Sequence, residues 1–251
     1  MSRHALVTGA TGGLGRALCR ALAETGCDVT VHHRSDAAGA ALLADDLRRL
    51  GRRAAVVAQD LAVDDVDAAC AALLDAAERE LGPVDVVVAN ASSQELTPWA
   101  DLDAAAWDRL YSGTLRHTAS LIHAAARRMT PKRRPAIVVV GSIEGFRPAP
   151  GHAAYAVFKA AANALVAAAA QELGRRGVRV VGVAPGLIER PGLAEDWPDG
   201  HGRWSQTVPL GRPVTPDEVA AAVAFLASPA ASGVTGTTLV VDAGWSAAPG
   251  W

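Results

Sequence analysis

The sequence predicts an α/β fold: one domain over residues 1–251, built on a seven-stranded parallel, doubly wound sheet with helices on both faces. Three observations predict it. The 251 residues are 50% hydrophobic, which is enough for one large core. Short, β-branched apolar runs alternate with segments long enough for crossover helices. Six of the seven runs are apolar on both faces, as in strands that are covered on both sides.

The seven predicted strands lie at residues 5–8, 28–33, 54–58, 84–89, 136–141, 178–184 and 237–242. The connection after the sixth strand is about 30 residues long, contains several glycines and prolines and two tryptophans, and is longer than an ordinary loop. It follows the C-terminal end of a parallel strand, which is where open α/β sheets bind ligands. We therefore expect residues 187–212 to form a substrate lid, followed by a helix after Thr215.

Composition and charge exclude several classes of protein. With 24 Lys and Arg against 26 Asp and Glu, the net charge of −2 offers no field for nucleic acid. The three cysteines lack metal-type spacing and predict neither a disulfide framework nor a metal site, which favours the reducing cytoplasm. No leader and no run of about 18 uninterrupted apolar residues is found, so no membrane association is expected. The charged run 127–135 is interpreted as a solvated helix end.

A glycine-rich loop follows the first strand and directly precedes an amphipathic segment. It reads TGATGGLGR and supplies Gly9, Thr11, Gly13, Leu14 and Gly15 as candidate cofactor-binding residues. Glycines let the backbone approach a diphosphate, and the N-terminal N–H groups of the next helix point at that anion. The strand, loop and helix together predict the dinucleotide site of a Rossmann fold.

The end of the second strand predicts which dinucleotide binds. No carboxylate is present there to bind a free ribose hydroxyl; Arg34 and Ser35 follow instead, and an arginine pairs well with a 2′-phosphate. This favours NADPH/NADP+ over NADH, unless Arg34 is simply a solvated loop residue. After the third strand come Asp60 and Leu61. Asp60 is placed either to accept from the adenine amino group or to cap the following turn.

Three residue types typical of proton transfer follow the fifth strand. Ser142 ends the strand, and Tyr155 and Lys159 lie four residues apart on one face of the next predicted helix. Such a pair is rare by chance in a chain with two tyrosines and two lysines, although an exposed helix face could carry it. A phenol is a poor acid or base near neutrality unless a cation stabilises its anion, and Lys159 supplies that cation.

With the TGATGGLG loop and the closing residues 242–245 (DAGW), these residues make the whole chain resemble the short-chain dehydrogenase/reductase family. The resemblance implies a ketoreductase reaction in which Tyr155 gives its proton to a carbonyl oxygen, Ser142 hydrogen-bonds the same oxygen, and the nicotinamide delivers hydride. Lys159 would hold the nicotinamide ribose and favour tyrosinate.

The resemblance also assigns two segments to cofactor binding and shows one position at which this chain differs from the family. Asn90, Ala91 and Ser92 match the motif beside the ribose, and Pro185, Gly186 and Ile188 match the segment that borders the nicotinamide. The family usually carries an asparagine in the helix before the fifth strand, where this chain has Thr114. We expect an altered proton relay and an active enzyme.

Three segments are expected to line the substrate pocket. Their candidate residues are Gln94, Trp99, Glu144, Phe146, His152, Leu193, Trp197 and Trp204. The tryptophans suit a flat, largely apolar carbonyl substrate, or else they pack against the domain or a partner subunit. Within the family, the lid and the VHHRS and NASS segments resemble ketoreductases that tailor aromatic polyketides, including the angucycline type. Pteridine reductases are an alternative that Ser142 disfavours, and a 3-oxoacyl thioester reductase would need a basic docking patch near the mouth.

Two further hypotheses concern class and assembly. A non-catalytic NADP(H) sensor or scaffold would need the glycine loop alone, so Ser142, Tyr155 and Lys159 argue against it and only Thr114 favours it. The alanine-rich helix expected over 153–173 carries small residues nearly all round and can pack on more than one side. Because the family commonly assembles through this helix, a homo-oligomer, tetramer or dimer, is predicted.

Overall fold

All seven predicted strands form in the computed structural model, which describes residues 2–248. They are β1 (His4–Val7), β2 (Asp28–His33), β3 (Ala54–Ala58), β4 (Val86–Ala89), β5 (Ala136–Val140), β6 (Arg179–Pro185) and β7 (Thr238–Val241). The strand order is β3-β2-β1-β4-β5-β6-β7, and every neighbouring pair is parallel. The predicted fold class, a parallel doubly wound sheet in one Rossmann domain, is confirmed.

The helices cover both faces of the sheet. They are α1 (Gly13–Glu24), α2 (Ala37–Arg49), α3 (Val66–Leu81), α4 (Ala104–Tyr111), α5 (His117–Arg128), α6 (Ala153–Leu173), α7 (Leu193–Asp196), α8 (Pro198–Thr207) and α9 (Pro216–Ala227). One core cluster joins α1, α2 and α9 to the strand face that carries Val7, and a second joins α3, α5 and α6 to the face that carries Leu6. Because successive strand residues point to opposite faces, a strand buried on both sides must be apolar throughout.

Four of the nine helices in residues 2–248 begin with a side-chain cap. Asp36, Asp65 and Asp103 accept from backbone N–H groups of α2, α3 and α4, and Thr215 forms a capping box with Glu218 ahead of α9. The helix predicted after Thr215 is therefore confirmed. Helix α1 differs, because its N-cap Gly12 makes no side-chain cap bond and its first turn has no acidic residue. Its N-terminal N–H groups stay open to an anion.

The charged run 127–135 is the end of a helix, as predicted. Helix α5 stops at Arg128, which pairs with Asp75 and Glu78 on α3. Arg133 pairs with Asp85, the residue before β4. This run therefore lies at the N-terminal edge of the sheet, away from the edge where the strands end.

Helix α6 and the turn that follows it, Ala153–Arg176, are long and apolar enough to cross a membrane by length and composition. In the folded chain the same helix packs on the sheet and buries Tyr155, Lys159 and Val166. A long apolar helix that buries a charged lysine against a sheet is the core helix of a globular domain.

Candidate active site

Two neighbouring cavities open at the C-terminal edge of the sheet. One, of about 660 Å³, runs over the glycine loop between α1 and β4, and the other, of about 670 Å³, lies between β5, α6 and the segment after β6. Leu14, Asn90, Ser92 and Gln94 line both cavities, so the two form one continuous groove. This edge is where doubly wound sheets bind nucleotides and their substrates.

The glycine loop has the shape that a diphosphate requires. Gly9 has a φ of +61°, which favours glycine, and a Cβ on Gly15 would lie 2.3 Å from the Gly9 carbonyl oxygen. A Cβ on Gly13 would meet nothing within 4 Å, so the first turn of α1 is open on that side. The open turn and the uncapped helix start fit the pyrophosphate of a nicotinamide dinucleotide.

Most of the predicted cofactor residues line the first cavity. They are Gly9, Thr11, Gly13, Leu14, Gly15, Arg34, Ser35, Asp60, Leu61, Asn90, Ala91 and Ser92. The other five, Tyr155, Lys159, Pro185, Gly186 and Ile188, line the second cavity. Strands from both halves of the sheet thus contribute to one groove.

The buried side chain of His32 and the half-buried side chain of Asn90 support the glycine loop through hydrogen bonds. His32 accepts from the Gly9 N–H at Nδ1 (3.1 Å) and donates from Nε2 to the Gln59 carbonyl (2.9 Å). Burial lowers the pKa of His32 to about 4, so the ring is neutral and can accept at Nδ1. Asn90 donates from Nδ2 to the carbonyls of Thr8 and Gly9. Sequence reasoning missed the role of His32, whose only signal was its place at the end of β2.

The end of β2 is cationic and exposed. Arg34 makes no ion pair within residues 2–248 and lines the groove beside Ser35. A carboxylate is present one residue further on, since Asp36 also lines the groove. It caps α2 through the Gly39 N–H and lies 3.6 Å from the Arg16 guanidinium. Its charge is therefore partly offset.

Asp60 caps the local turn, one of the two roles considered for it, and lies in the groove, where the other role would place it. Its Oδ1 accepts from the Ala62 N–H at 2.8 Å, which caps the local turn, and the residue lines the groove. The second carboxylate oxygen is free to accept from a ligand.

Ser142, Tyr155 and Lys159 come together in the second cavity. Lys159 is buried, its Nζ lies 5.5 Å from the centroid of the Tyr155 ring, and it donates to the Val140 carbonyl at 2.9 Å. Burial lowers the pKa of Lys159 to about 8. Burial, reinforced by the charge of Glu144, raises the pKa of Tyr155 to about 12, while the Ser142 hydroxyl opposes that rise. Tyr155 is consequently a protonated phenol near neutrality, with a cation beside it to accommodate its anion.

Ser142 is held in place by its neighbours. Its Oγ accepts from the Glu144 N–H at 3.1 Å, and its carbonyl accepts from Asn163 Nδ2 on α6 at 3.2 Å. These contacts tie the end of β5 to the helix that carries Tyr155 and Lys159. The three side chains therefore form one rigid group.

Thr114, at the family's asparagine position, lies in a π-helical turn, Ser112–Arg116, between α4 and α5. It is 2% exposed, and its hydroxyl donates to the Ser93 carbonyl at 3.1 Å, beside the loop after β4. Thr118 donates to the Thr114 carbonyl at 2.9 Å. A break in the α-helical pattern thus persists without asparagine, and the threonine hydroxyl is used within the protein.

Six of the eight predicted substrate residues line the second cavity: Gln94, Glu144, His152, Leu193, Trp197 and Trp204. Trp99 and Phe146 do not, which corrects the expectation for both. Trp99 opens a short 3-10 turn, Trp99–Asp101, and is 75% exposed; Phe146 is 53% exposed after the turn Ile143–Gly145. In each case the turn directs the large side chain outward, which a sequence pattern does not reveal.

One wall of the cavity is an aromatic stack. The rings of Trp204 and Trp245 are parallel within 5° at 5.7 Å between centroids, and the Arg147 guanidinium lies 5.5 Å from the Trp245 centroid. All three residues line the cavity. Trp245 was not among the predicted substrate residues, although the closing residues 242–245 were part of the resemblance.

A hydrogen-bonded pair of side chains lies beside Ser142, Tyr155 and Lys159. His152 Nδ1 is 2.6 Å from Glu144 Oε2, and both side chains are less than one-fifth exposed. The His152 ring meets the Tyr155 ring edge-on, with 6.1 Å between centroids. The cavity therefore has a polar pair in addition to Ser142, Tyr155 and Lys159.

Comparison with known proteins agrees with this geometry. A family model described as Enoyl-(Acyl carrier protein) reductase matches residues 9–246. The chain is similar to the cis-4-hydroxycyclohexanecarboxylate dehydrogenase of Sinomonas cyclohexanicum, at 40% identity over 98% of this chain and 97% of the relative. It is also similar to 3beta-hydroxysteroid dehydrogenase 1 of Eggerthella lenta, at 34% identity over 98% and 94%. The chain belongs to the short-chain dehydrogenase/reductase family.

Solved structures show the same fold. A short-chain alcohol dehydrogenase from Sinorhizobium meliloti superimposes with a TM-score of 0.91 at 32% identity, covering 99% of this chain and 98% of that one. A blue fluorescent protein from a metagenomic library, in complex with NADPH, gives 0.89 at 30% identity over 97% of each chain. A 7 alpha-hydroxysteroid dehydrogenase in complex with NADH gives 0.89 at 32% identity over 96% and 93%.

These findings define the general chemistry of the site. The protein is an oxidoreductase that interconverts a hydroxyl and a carbonyl group on a small molecule, with a nicotinamide dinucleotide as cofactor. Structural relatives hold NADPH in one case and NADH in another.

Proposed function

We propose that the protein is an NADPH-dependent ketoreductase that reduces a carbonyl group on a flat, largely apolar substrate. The observation that carries the proposal is the convergence of Ser142, Tyr155 and Lys159 in a cavity continuous with the glycine-loop groove. A sensor or scaffold would use the groove alone and has no need of a buried phenol beside a lysine.

The reaction adds a hydride and a proton across a C=O bond. A dinucleotide held in the glycine-loop groove would supply the hydride to the carbonyl carbon. Tyr155 donates its phenolic proton to the carbonyl oxygen, and Ser142 donates a hydrogen bond to the same oxygen as its negative charge grows. Lys159 then stabilises the tyrosinate that proton donation leaves behind. The product is the corresponding alcohol.

Arg34 and Ser35 support the choice of NADPH. The exposed guanidinium is available for a 2′-phosphate at the end of β2, and the Ser35 hydroxyl adds a donor. Asp60 would accept from the adenine amino group. Asn90, Ala91 and Ser92 would border one ribose, and Pro185, Gly186 and Ile188 the nicotinamide.

The cavity lining supports a ring-shaped substrate. Leu193, Trp197, Trp204 and Trp245 form apolar walls with few polar groups. An aromatic polyketide intermediate, as in antibiotic biosynthesis, is our first candidate. Two relatives carry names that refer to ring compounds, a hydroxycyclohexanecarboxylate and a steroid. A pteridine fits the same walls, although Ser142 disfavours it.

A 3-oxoacyl thioester is the weaker alternative for the substrate. The basic run 127–134 lies at the opposite edge of the sheet and so cannot dock an acyl carrier at the cavity mouth. Glu144, His152 and Gln94 are the polar contacts that we assign to the substrate.

The segment 187–212 would act as the lid, since α7 and α8 place Leu193, Trp197 and Trp204 against the cavity. We further propose that the protein works in the cytoplasm as a homo-oligomer, a tetramer or a dimer, with neither nucleic acid nor membrane as a partner.

The test is turnover of NADPH with a panel of polycyclic aromatic ketones, pterins and 3-oxoacyl thioesters. We expect NADPH to be oxidised when a polycyclic ketone is added. Tyr155→Phe should lower kcat by at least about 100-fold. The matched control is Tyr111→Phe, because Tyr111 is the chain's other tyrosine and is exposed outside the two cavities. Turnover that survives Tyr155→Phe would overturn the assignment of the acid.

A further inference from the structure

The Glu144–His152 pair belongs to both segments that carry the catalytic residues. Glu144 lies two residues after Ser142, and His152 lies three residues before Tyr155, at the N-terminus of α6. Their 2.6 Å contact is largely shielded from solvent, with side-chain exposures of 18% and 17%. A carboxylate withdrawn from water beside a phenol is costly unless it is paired, and His152 is its partner.

The pair fixes the hydrogen-bonding character of the histidine ring. An ionised carboxylate only accepts hydrogen bonds, so His152 Nδ1 must carry the proton that bridges to Glu144 Oε2. In the neutral ring, Nε2 then carries a lone pair and is an acceptor. Within residues 2–248, Nε2 forms no hydrogen bond and is not among the buried unpartnered atoms. Whenever the ring is neutral, an unused acceptor is thus accessible on a residue that lines the cavity.

The backbone and the neighbouring ring hold His152 at this place. Its N–H donates to the Ala149 carbonyl at 3.2 Å, and its carbonyl accepts from the Ala156 N–H at 2.8 Å. Its ring stands at 82° to the Tyr155 ring. Both rings line the same cavity, so a substrate with its carbonyl at the Tyr155 hydroxyl can present another of its groups to His152.

We propose that His152, oriented by Glu144, is a specificity-determining residue that accepts a hydrogen bond from a substrate hydroxyl group separate from the reacting carbonyl. The preferred substrates are then hydroxyketones with an alicyclic or phenolic hydroxyl. Arg147, the nearby cation of the aromatic wall, has only donors and cannot take this role. The inference rests on the proposed ketoreductase function and narrows its substrate class.

A matched substrate series tests it: a hydroxylated tetralone, its methyl ether and the unsubstituted tetralone, each with NADPH. The ether keeps an acceptor oxygen and loses the donor. We expect the hydroxyl compound to have a kcat/KM about 10-fold above the other two, mainly through KM, because a site built to hydrogen-bond a hydroxyl rejects analogues without one. His152→Phe keeps a flat ring beside Tyr155 and should bring this ratio to about 1.

Two further variants sharpen the test. In Glu144→Gln the amide offers His152 Nδ1 either a donor or an acceptor, so the proton of the neutral ring is no longer fixed on Nδ1. The ratio of kcat/KM between the hydroxylated tetralone and its analogues should therefore also fall. His201→Phe is the control, because His201 pairs with Glu189 at 3.5 Å in the lid and does not line either of the two cavities. It should keep the wild-type ratio. A ratio unchanged in His152→Phe would overturn the inference.

A measurement without turnover separates this inference from the proposed function. Imidazole ¹⁵N NMR of the wild-type protein, assigned with His152→Phe, reads the tautomer of His152 directly. A protonated Nδ1 and a bare Nε2 in the neutral ring are expected, and addition of the hydroxylated tetralone should shift Nε2 while the methyl ether does not. A protonated Nε2, or no shift, contradicts the inference. If the ring behaves as expected and no ketone is reduced with NADPH, the proposed function alone fails.

Discussion

The proposed preference for NADPH depends on Arg34. It has no acidic partner within residues 2–248, and Asp36 beside it is paired with Arg16. A hydrogen-bonded charge pair contributes about 1.5–3 kcal/mol, which corresponds to a 10- to 150-fold change in affinity. We therefore expect Arg34→Leu to raise the Kd for NADPH by that factor and to leave the Kd for NADH within about threefold.

Ser35→Ala should also weaken NADPH binding, but by less than Arg34→Leu, because the serine hydroxyl is a neutral donor. Fluorescence titration of both dinucleotides checks both variants. An equal loss of NADPH and NADH affinity in Arg34→Leu would mean that the arginine serves the loop and not the 2′-phosphate.

Lys159 makes the stability of the protein depend on pH. Burial lowers its pKa to about 8, against about 10.5 in the unfolded chain. Between these values the unfolded state binds the extra proton, so the free energy of unfolding rises as pH increases from about 8 to about 10.5. As pH falls, this contribution of Lys159 decreases over the same window and is absent once pH is below the folded pKa. The full span of this contribution is on the order of 3 kcal/mol.

Denaturant unfolding of wild type and Lys159→Met across pH 7 to 11 measures this contribution. The wild type should gain stability relative to the variant as pH rises, and Lys132→Met, which removes the chain's other lysine, should not change the slope. Parallel curves for wild type and Lys159→Met would show that the buried lysine keeps its ordinary pKa.

For single residues, the sequence predicts the chemical type of a site residue better than the direction of its side chain. Ser142, Tyr155 and Lys159 were selected because their chemistry and spacing are rare in a chain with two tyrosines and two lysines, and the structure brings them into one cavity. Trp99 and Phe146 were misplaced, because a single 3-10 turn decides whether a ring faces a cavity or solvent. The brace formed by His32 joins Gly9 to Gln59, and pairs so far apart in sequence appear only when the strands are assembled.

Strands and helices were predicted closely, since each is encoded within a short window. Helix α6 spans Ala153–Leu173, as expected from its alanine run, and β2 and β3 have the expected bounds. The π-helical turn Ser112–Arg116 and the short helices α7 and α8 of the lid were beyond prediction. Their conformations depend on contacts with other segments, such as the Thr114 to Ser93 bond and the bridge between Ile188 and Val214.

The glycine loop gives a prediction for the join between β1 and α1. A Cβ on Gly15 would lie 2.3 Å from the Gly9 oxygen and 2.7 Å from the Ala10 Cα, whereas one on Gly13 would meet nothing within 4 Å. Overpacking against backbone costs about 1–3 kcal/mol. We expect Gly15→Ala to lower the free energy of unfolding by that amount and to weaken NADPH binding, and Gly13→Ala to leave stability within about 0.5 kcal/mol.

Urea unfolding of the two alanine variants compares sites two residues apart on the same turn. Equal destabilisation by both would show that the first turn of α1 is less open than its geometry indicates.

The whole molecule leaves apolar surface uncovered at one edge of its sheet. Strand β7 is the last strand, and Leu239 and Val240, whose side chains point to opposite faces, are both exposed, as is Phe225 on α9. Along α6, Val157 is exposed among small residues that allow close approach of a second helix. An edge strand with exposed apolar side chains is a site for pairing with another chain.

We therefore expect a homo-oligomer, and light scattering at micromolar concentration should give a mass of at least twice 25.7 kDa. Val157→Lys tests the α6 surface, and Leu239→Lys tests the β7 surface, because a buried unpaired charge opposes association at whichever of them forms the interface. A dimer uses one surface, so one variant alone dissociates it; a tetramer with two interfaces falls to dimers in either variant. A wild-type mass of 25.7 kDa would instead show that the uncovered edge of β7 and the exposed face of α6 are tolerated in solution.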